Sequence, residues 1–379
     1  MKRIYDHSID TDQAALQQFK ACHKKSFVTA AALMPDAHSG YAAPIGSVLI
    51  TKDQIVPAWV GFDIGCGLIA VKLTAPNLLE KINKNKKRIH SLVTQKVPMG
   101  LGKTSTPSNV TEETKEVFKK LIDLYKSKEH DKRILNFLKN GAMKFLGSIG
   151  SGNHFMELGT YKSEVWLIVH SGSRGLGHKV AERYMKLASR SEENYEKTAP
   201  LSVKSEEGKQ YLNILDFCLE FALLNRLEIA KHTVSAIEQA LKIKIKSTLW
   251  TNKNHNHALL EKGKYIHRKG ATPAKKGERG IIPGSMSVGS VLVKGLGSAK
   301  FLHSSSHGAG RLHSRTAAKK KFSMSQFKES MKGVTGTISQ KTLDEAPMAY
   351  KDLFKVMDAQ KESVKAIKHI KPLINWKGT

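Results

Sequence analysis

The sequence predicts a mixed α/β fold of the α+β kind, on three observations. Short apolar runs broken by Gly and Pro fill residues 27–73, lysine-rich amphipathic stretches fill 77–146, and a long apolar block lies within 179–243. Taken in order, "SVLIT", "IVPAWV" and "LIAVKL" read as buried strands, with the Gly-rich "GFDIGCG" at a strand edge. "NLLEKINKNKKRIHSLV" and "TEETKEVFKKLIDLYKSKEHDKRILNFLKNGAMKFL" carry apolar residues at three and four spacing, so they are helices with a basic outer face. The strand "VWLIVH" and the turn "SGSRGLGH" follow. Helix then returns, and "LNILDFCLEFALLNRLEIAKHTVSAIEQAL" is apolar almost all round, as a buried helix is. Residues 250–315 read as loop and strand, and the tail from Thr342 as a helix followed by the short strand "PLINWKG". No internal repeat, linker or boundary divides the chain, so one domain is expected over 1–379, with helical insertions at about 77–146 and 179–243.

Three cysteines in 379 residues, Cys22, Cys66 and Cys218, are too few and too scattered for a disulfide framework. With no secretory signal pattern and no apolar run approaching a membrane span, a reducing, cytoplasmic setting is expected and no membrane partner. Cys218 reads as a core thiol; Cys22, in a polar helical stretch, suggests no function. The balance of 62 Lys and Arg against 33 Asp and Glu gives a formal charge of +29. An excess of that size points to a polyanionic partner, nucleic acid ahead of lipid.

Four of the sixteen histidines, His154, His170, His255 and His307, stand beside glycines or at the end of apolar runs, where a side chain can face a cleft. Asp63 and Cys66 occupy one more strand end, and their three-residue spacing lets both reach one site from a tight turn. A thiolate can bridge two metals while imidazoles complete each sphere. With no CxxC pair and no HExxH helix, spacing alone leaves that metal site open. Softness of the donors would favour zinc over manganese. The loops "HGAGR", "IPGSMSVGS" and "SGSRGLG" offer backbone amides to phosphate, and Arg174, Arg311 and Arg315 could pair with it. Taken singly, each loop is as readily a turn.

The segments "MPDAHSGYAAPIGSVL", "VGFDIGCG", "GSGNHFMEL", "HSGSRGLGH", "HRKGATPA", "IPGSMSVGSVLV", "SHGAGRLHSR", "DEAPMAYKD" and "WKG" run in order from residue 34 to 378 and resemble the RtcB family of GTP-dependent RNA ligases. The resemblance implies an RtcB-like fold with mixed sheets around a central active-site cleft, two Mn²⁺ ions and GTP as cosubstrate. It implies one metal on Asp63, Cys66 and His154 and the other on Cys66, His170 and His255. His307 becomes the nucleophile that carries GMP. Contacts to the guanylate fall on Asn153, His154, Phe155, Met156, Glu157, His255, Asn256, Pro283, Gly284, Ser285, Met286, Ser290, His307, Gly308, Ala309, Gly310, Tyr350 and Lys377. Among these, Glu157 would accept from the guanine edge, Lys377 would donate to it and Tyr350 would lie against the ring. The implied activity joins an RNA 3′-phosphate or 2′,3′-cyclic phosphate to a 5′-hydroxyl end, on broken tRNA or rRNA, with an accessory activator protein as a further candidate partner. Departures at "HSGYAAPIGSVL" and "HSSSHGAG", with the short length, leave splicing and repair both open. A cyclic phosphodiesterase that opens the ring without joining, and a non-catalytic RNA-binding paralogue, are the rival readings.

Overall fold

The computed structural model describes residues 2–378. Two sheets carry the architecture. The first runs in the order Arg3–Asp6, Val28–His38, Ile45–Thr51, Lys264–Lys269, Asn256–Glu261. The second runs Arg279–Pro283, Ser290–Gly295, Val364–Lys377, Phe155–Tyr161, Glu164–Ser171, Gly67–Thr74, Lys246–Asn254, with Thr335–Gly336 paired onto Val364–Lys377. This second sheet curls until its ends meet: Arg279 donates to the Trp250 carbonyl at 3.1 Å and Thr251 to the Arg279 carbonyl at 3.4 Å. Its inner strands Gly67–Thr74 and Glu164–Ser171 read as near-continuous Val, Ile and Leu because both faces are covered.

The covering layer is helical. Leu78–Lys96, Glu112–Lys126 and Lys132–Gly141 occupy the first lysine-rich block. They bury Ile82, Ile89, Val93, Phe118, Ile122, Ile134 and Leu138 and turn their lysines outward. Helix Glu206–Leu241, capped by Ser205 accepting from the Gly208 amide, is buried along its length. Its residues divide between two apolar layers. One holds Ile229 and Ile237 with Val71, Leu158, Val169 and Trp376 of the sheet; the other holds Phe217 and Phe221 with Trp59, Phe118 and Tyr184. Cys22 and Cys218 are both buried within the second layer, the polar setting of Cys22 notwithstanding.

The second helical block holds helices as expected, Gly175–Ser189 and Glu206–Leu241, separated by a segment whose Leu201–Ser202 pairs with Gln54–Ile55. Two expectations are corrected. "IVPAWV" forms only Gln54–Ile55 as strand and then a helical turn, Pro57–Val60, because Pro57 at the first helical position brings its φ preset for helix. In the tail, 3₁₀ turns at Gln340–Glu345 and Pro347–Ala349 precede a seven-residue helix, Leu353–Ala359. The final strand is fourteen residues, Val364–Lys377, rather than "PLINWKG" alone. Its first half, "VKAIKHIK", carries a lysine every third residue and no two-residue alternation, which hid it; Pro372 is accommodated where the register with the neighbouring strand shifts. Among the described residues no helix is long and apolar enough to cross a membrane.

Candidate active site

A cleft of ≈ 970 Å³ opens between the sheets, lined by residues from 12 to 377. On one wall, the loop after Val60 brings Asp63 and Cys66 to the start of strand Gly67–Thr74, and the ends of neighbouring strands in the same sheet bring His154, His170 and His255 beside them. Two groups converge, Asp63 with Cys66 and His154, and Cys66 with His170 and His255; within each group the donor atoms lie within 4.8 Å of one another. The His154 Nε2 is 2.7 Å from the Asp63 carboxylate and 3.3 Å from Cys66 Sγ. The His170 Nε2 is 3.2 Å from the same sulfur and 3.0 Å from the His255 Nε2.

The donor set fits a divalent cation pair. Burial, then the like charges around them, pushes His170 and His255 well below the usual imidazole range, so their rings are neutral lone-pair donors. Burial, then the Asp63 carboxylate, pushes the Cys66 thiol well above its usual range. A neutral thiol faced by two neutral imidazoles gains little from them, whereas a cation would satisfy sulfur and nitrogens together. Cys66 is the atom common to both groups.

The loop is held from behind. Gly65 adopts φ +73°, and a side chain there would stand 2.7 Å from Ala222 Cβ on the long helix, so only glycine fits. Arg226, fully buried one turn further along, donates to the carbonyls of Gly65 at 2.9 Å and Ser171 at 2.8 Å and to the side chains of Asn252 and Asn254. Its neighbour Asn225 takes the Gly147 amide and donates to the Gly172 carbonyl. One helix turn therefore braces three of the segments that bear Cys66, His170 and His255. Nothing in residue pattern marked Arg226 or Asn225; inside an apolar run, a lone buried arginine is the only signal. Arg226→Met leaves two carbonyls buried without donors, and an unfolding free energy lower by about 3 kcal/mol or more is expected in urea titration.

His307 sits across the cluster, its ring stacked on His255 with centroids 4.7 Å apart. Its Nδ1 is 2.6 Å from Asp36 Oδ2, and the same oxygen accepts from the His307 and Gly308 amides. Burial alone would raise the Asp36 carboxyl, but the charge and hydrogen bond of His307 hold it below its usual range. An ionised Asp36 makes Nδ1 the donor, so in the neutral ring the lone pair lies on Nε2, which makes no hydrogen bond among the described residues. Gly310, at φ +77°, lets the "HGAGR" turn lie against the Asp36 backbone, where a side chain would come within 2.2 Å of its carbonyl oxygen. Asp36 stands in "MPDAHSG", yet its role was missed because only the fold brings it to residue 307.

Of the residues expected at the guanylate, the cleft is lined by Asn153, Phe155, Glu157, His255, Asn256, Pro283, Gly284, Ser285, Met286, His307, Gly308, Ala309, Gly310, Tyr350 and Lys377. Met156 stands apart from these lining residues. It alternates with Phe155 and Glu157 along one strand, so its side chain faces the helical layer, where the Thr233 hydroxyl lies 3.2 Å from its sulfur. His154 does not line the cleft itself but turns to Asp63 and Cys66. Ser290 is fully buried beside Glu157, whose carboxyl is pushed up to about 8 by burial against the opposing influence of that hydroxyl. The Asn256 amide is committed to backbone, donating to Asp63 O and accepting from the Gly270 amide.

Lys377 and Tyr350 meet on a carboxylate that the sequence reading passed over. Glu345 accepts from the Lys377 ammonium and the Tyr350 hydroxyl, and from Arg311 at 3.1 Å and Arg315 at 2.6 Å. Burial opposes its charge, but these cations hold it below its usual range. Two of the three arginines expected at phosphate are thus paired with acids. Arg174, held at φ +62° beside Asp63, makes no ion pair among the described residues.

A family model described as tRNA-splicing ligase RtcB matches residues 17–378. Among curated relatives, RNA-splicing ligase RtcB of Escherichia coli (strain K12) is 34% identical, the match covering 99% of this chain and 97% of the relative. RNA-splicing ligase RtcB1 of another Escherichia coli strain shows the same values. The tRNA-splicing ligase RtcB of Nanoarchaeum equitans is 32% identical over 86% of this chain and 83% of its own.

Proposed function

The chain belongs to the tRNA-splicing ligase RtcB family and is an RNA ligase, and from that premise we propose that His307 takes a guanylyl group from GTP and passes it to an RNA 3′-phosphate. The observation that carries this reading is the Asp36–His307 pair stacked on the Cys66 cluster. Asp36 keeps the proton on Nδ1, and Nε2 forms a bond to the α-phosphorus as the bond to pyrophosphate breaks. Two Mn²⁺ ions, held by Asp63, Cys66 and His154 and by Cys66, His170 and His255, would stabilise charge on the phosphoryl oxygens. The manganese assignment rests on the family, because thiolate and imidazole donors by themselves favour zinc.

At the far side, Glu157 would accept from the guanine edge, whose two N–H donors compensate a carboxylate that burial otherwise protonates. Lys377 would donate there from the Glu345 pair, with Tyr350 beside the ring. A 2′,3′-cyclic phosphate is first opened to the 3′-phosphate. That 3′-phosphate then displaces His307 from the guanylyl phosphorus, and a 5′-hydroxyl attacks the activated end with loss of GMP. The substrate is a broken tRNA or rRNA in a cytoplasmic setting, the outward lysines supplying the attraction that two polyanionic ends require. The test is incubation with α-labelled GTP and Mn²⁺: an acid-labile label on the protein is expected, and its absence, with RNA joining intact, would sink the histidine–GMP route.

A further inference from the structure

We propose that Tyr41 and Phe62 form a stacking platform for the terminal base of one RNA end at the mouth of the cleft. This rests on the RNA-ligase reading and specifies where one strand lies. Tyr41 is 65% exposed although it lines the cleft, so a ring face is open to a planar ligand. Its centroid is 5.8 Å from that of Phe62 at 86°, and Phe62 in turn stacks on His178 at 4.7 Å and 25°. Phe62 immediately precedes Asp63, one of the residues of the Cys66 cluster, so the edge-on support for the Tyr41 ring comes from the same loop as that cluster.

The ring is displayed by a braced loop. Asp12, which caps helix Gln13–His23, accepts from the Ser39 amide at 3.2 Å. Gln18 donates to the carbonyls of Gly40 at 2.7 Å and Tyr41 at 3.0 Å and accepts from the Gly40 amide at 3.1 Å. The backbone is thereby fixed while the ring is left uncovered, an arrangement suited to binding with little ordering cost. A base offers a π-face whatever its identity, and base–aromatic stacking is how single strands are held without sequence choice. Lys269 also lines the cleft, but its ammonium is buried and donates to the Ala58 carbonyl at 3.2 Å, so the base is held by its face and not through this cation. A protein partner is disfavoured, because Asp12, His38 and Ser39 flank the ring with polar groups instead of continuing an apolar patch. The guanine-directed groups Glu157 and Lys377 stand on the paired strands Phe155–Tyr161 and Val364–Lys377, whereas Tyr41 and Phe62 lie in loops, so the platform does not duplicate that subsite.

The test places 2-aminopurine as the terminal base of a 5′-hydroxyl RNA in one arm and of a 3′-phosphate RNA in the other. Quenching by the wild-type protein in one arm identifies the end that stacks. Tyr41→Ala is expected to abolish that quench and to raise KM for that strand about 5- to 100-fold, the loss of one base stack, with kcat at saturating RNA kept within about twofold of the wild type. Tyr41→Phe restores both, since no hydrogen bond of the hydroxyl is needed. The proposal is overturned if bound RNA, followed by anisotropy, is quenched in neither arm, if Tyr41→Ala leaves KM unchanged, or if Tyr41→Phe is as impaired as alanine. The quench needs neither GTP nor joining. Protein that quenches RNA but takes no label from GTP would therefore refute the guanylyl chemistry and uphold the platform.

Discussion

With His307→Ala, labelling of the protein by α-labelled GTP and joining of 3′-phosphate RNA are both expected to fall by about 10⁴-fold or more, because the proposed route forms its bond to phosphorus at this imidazole. The same substitution leaves the Cys66 cluster in place, so metal content should match the wild type and separate lost chemistry from lost fold. Asp36→Asn is the graded companion. It keeps the shape of the contact at 2.6 Å but removes the charge that fixes the proton on Nδ1, and an intermediate loss of about 10²- to 10⁴-fold is expected. A label that survives His307→Ala would place the nucleophile elsewhere; an Asp36→Asn variant of full activity would show that the tautomer is set by something other than this carboxylate.

Cys66→Ala is expected to lower metal content at both groups together, because its sulfur is the one donor they share. Affinity at each should drop by more than about 100-fold, beyond the range seen when only a supporting contact is lost. Elemental analysis after dialysis reads this directly, and one ion kept at full occupancy would contradict the shared sulfur. Since burial and Asp63 hold the thiol protonated, loading must release its proton, so apparent affinity in the wild type should climb as pH rises. Cys66→Ala should weaken that dependence, having no thiol proton to give up.

What was legible in the sequence follows from how local each signal is. Strands with both faces buried, such as Gly67–Thr74, and helices with one lysine-rich face, such as Glu112–Lys126, announce themselves within a few residues. Asp63, Cys66 and the histidines stood out through rare residue types among glycines. Spacing joined only Asp63 to Cys66 and left the histidines, from segments as distant as 154 and 255, an open metal set; the resemblance divided them into two groups. Asp36 and Glu345 were passed over although both stand in motifs that carried the resemblance, because an acid in a strand or a turn has no local mark of what it will pair with. Arg226 lay deeper still, inside an apolar helix whose pattern says only that it is buried. The strand Val364–Lys377 was half lost because the lysines of its first half recur every third residue and mask the two-residue period of a strand.

That strand has a bearing on how the protein is made. It lies between Ser290–Gly295 on one side and Phe155–Tyr161 on the other, so the two halves of the curled sheet share no direct ladder until it has been synthesised. Pairings across such sequence distances are slow to form and leave open strand edges in the meantime. The same strand carries Lys377 into the cleft, so closing the sheet and completing the pocket are one event. A chain still emerging from the ribosome would have its cysteine and histidines but no finished pocket, and the capacity to act on RNA would arrive only with the closing of the fold.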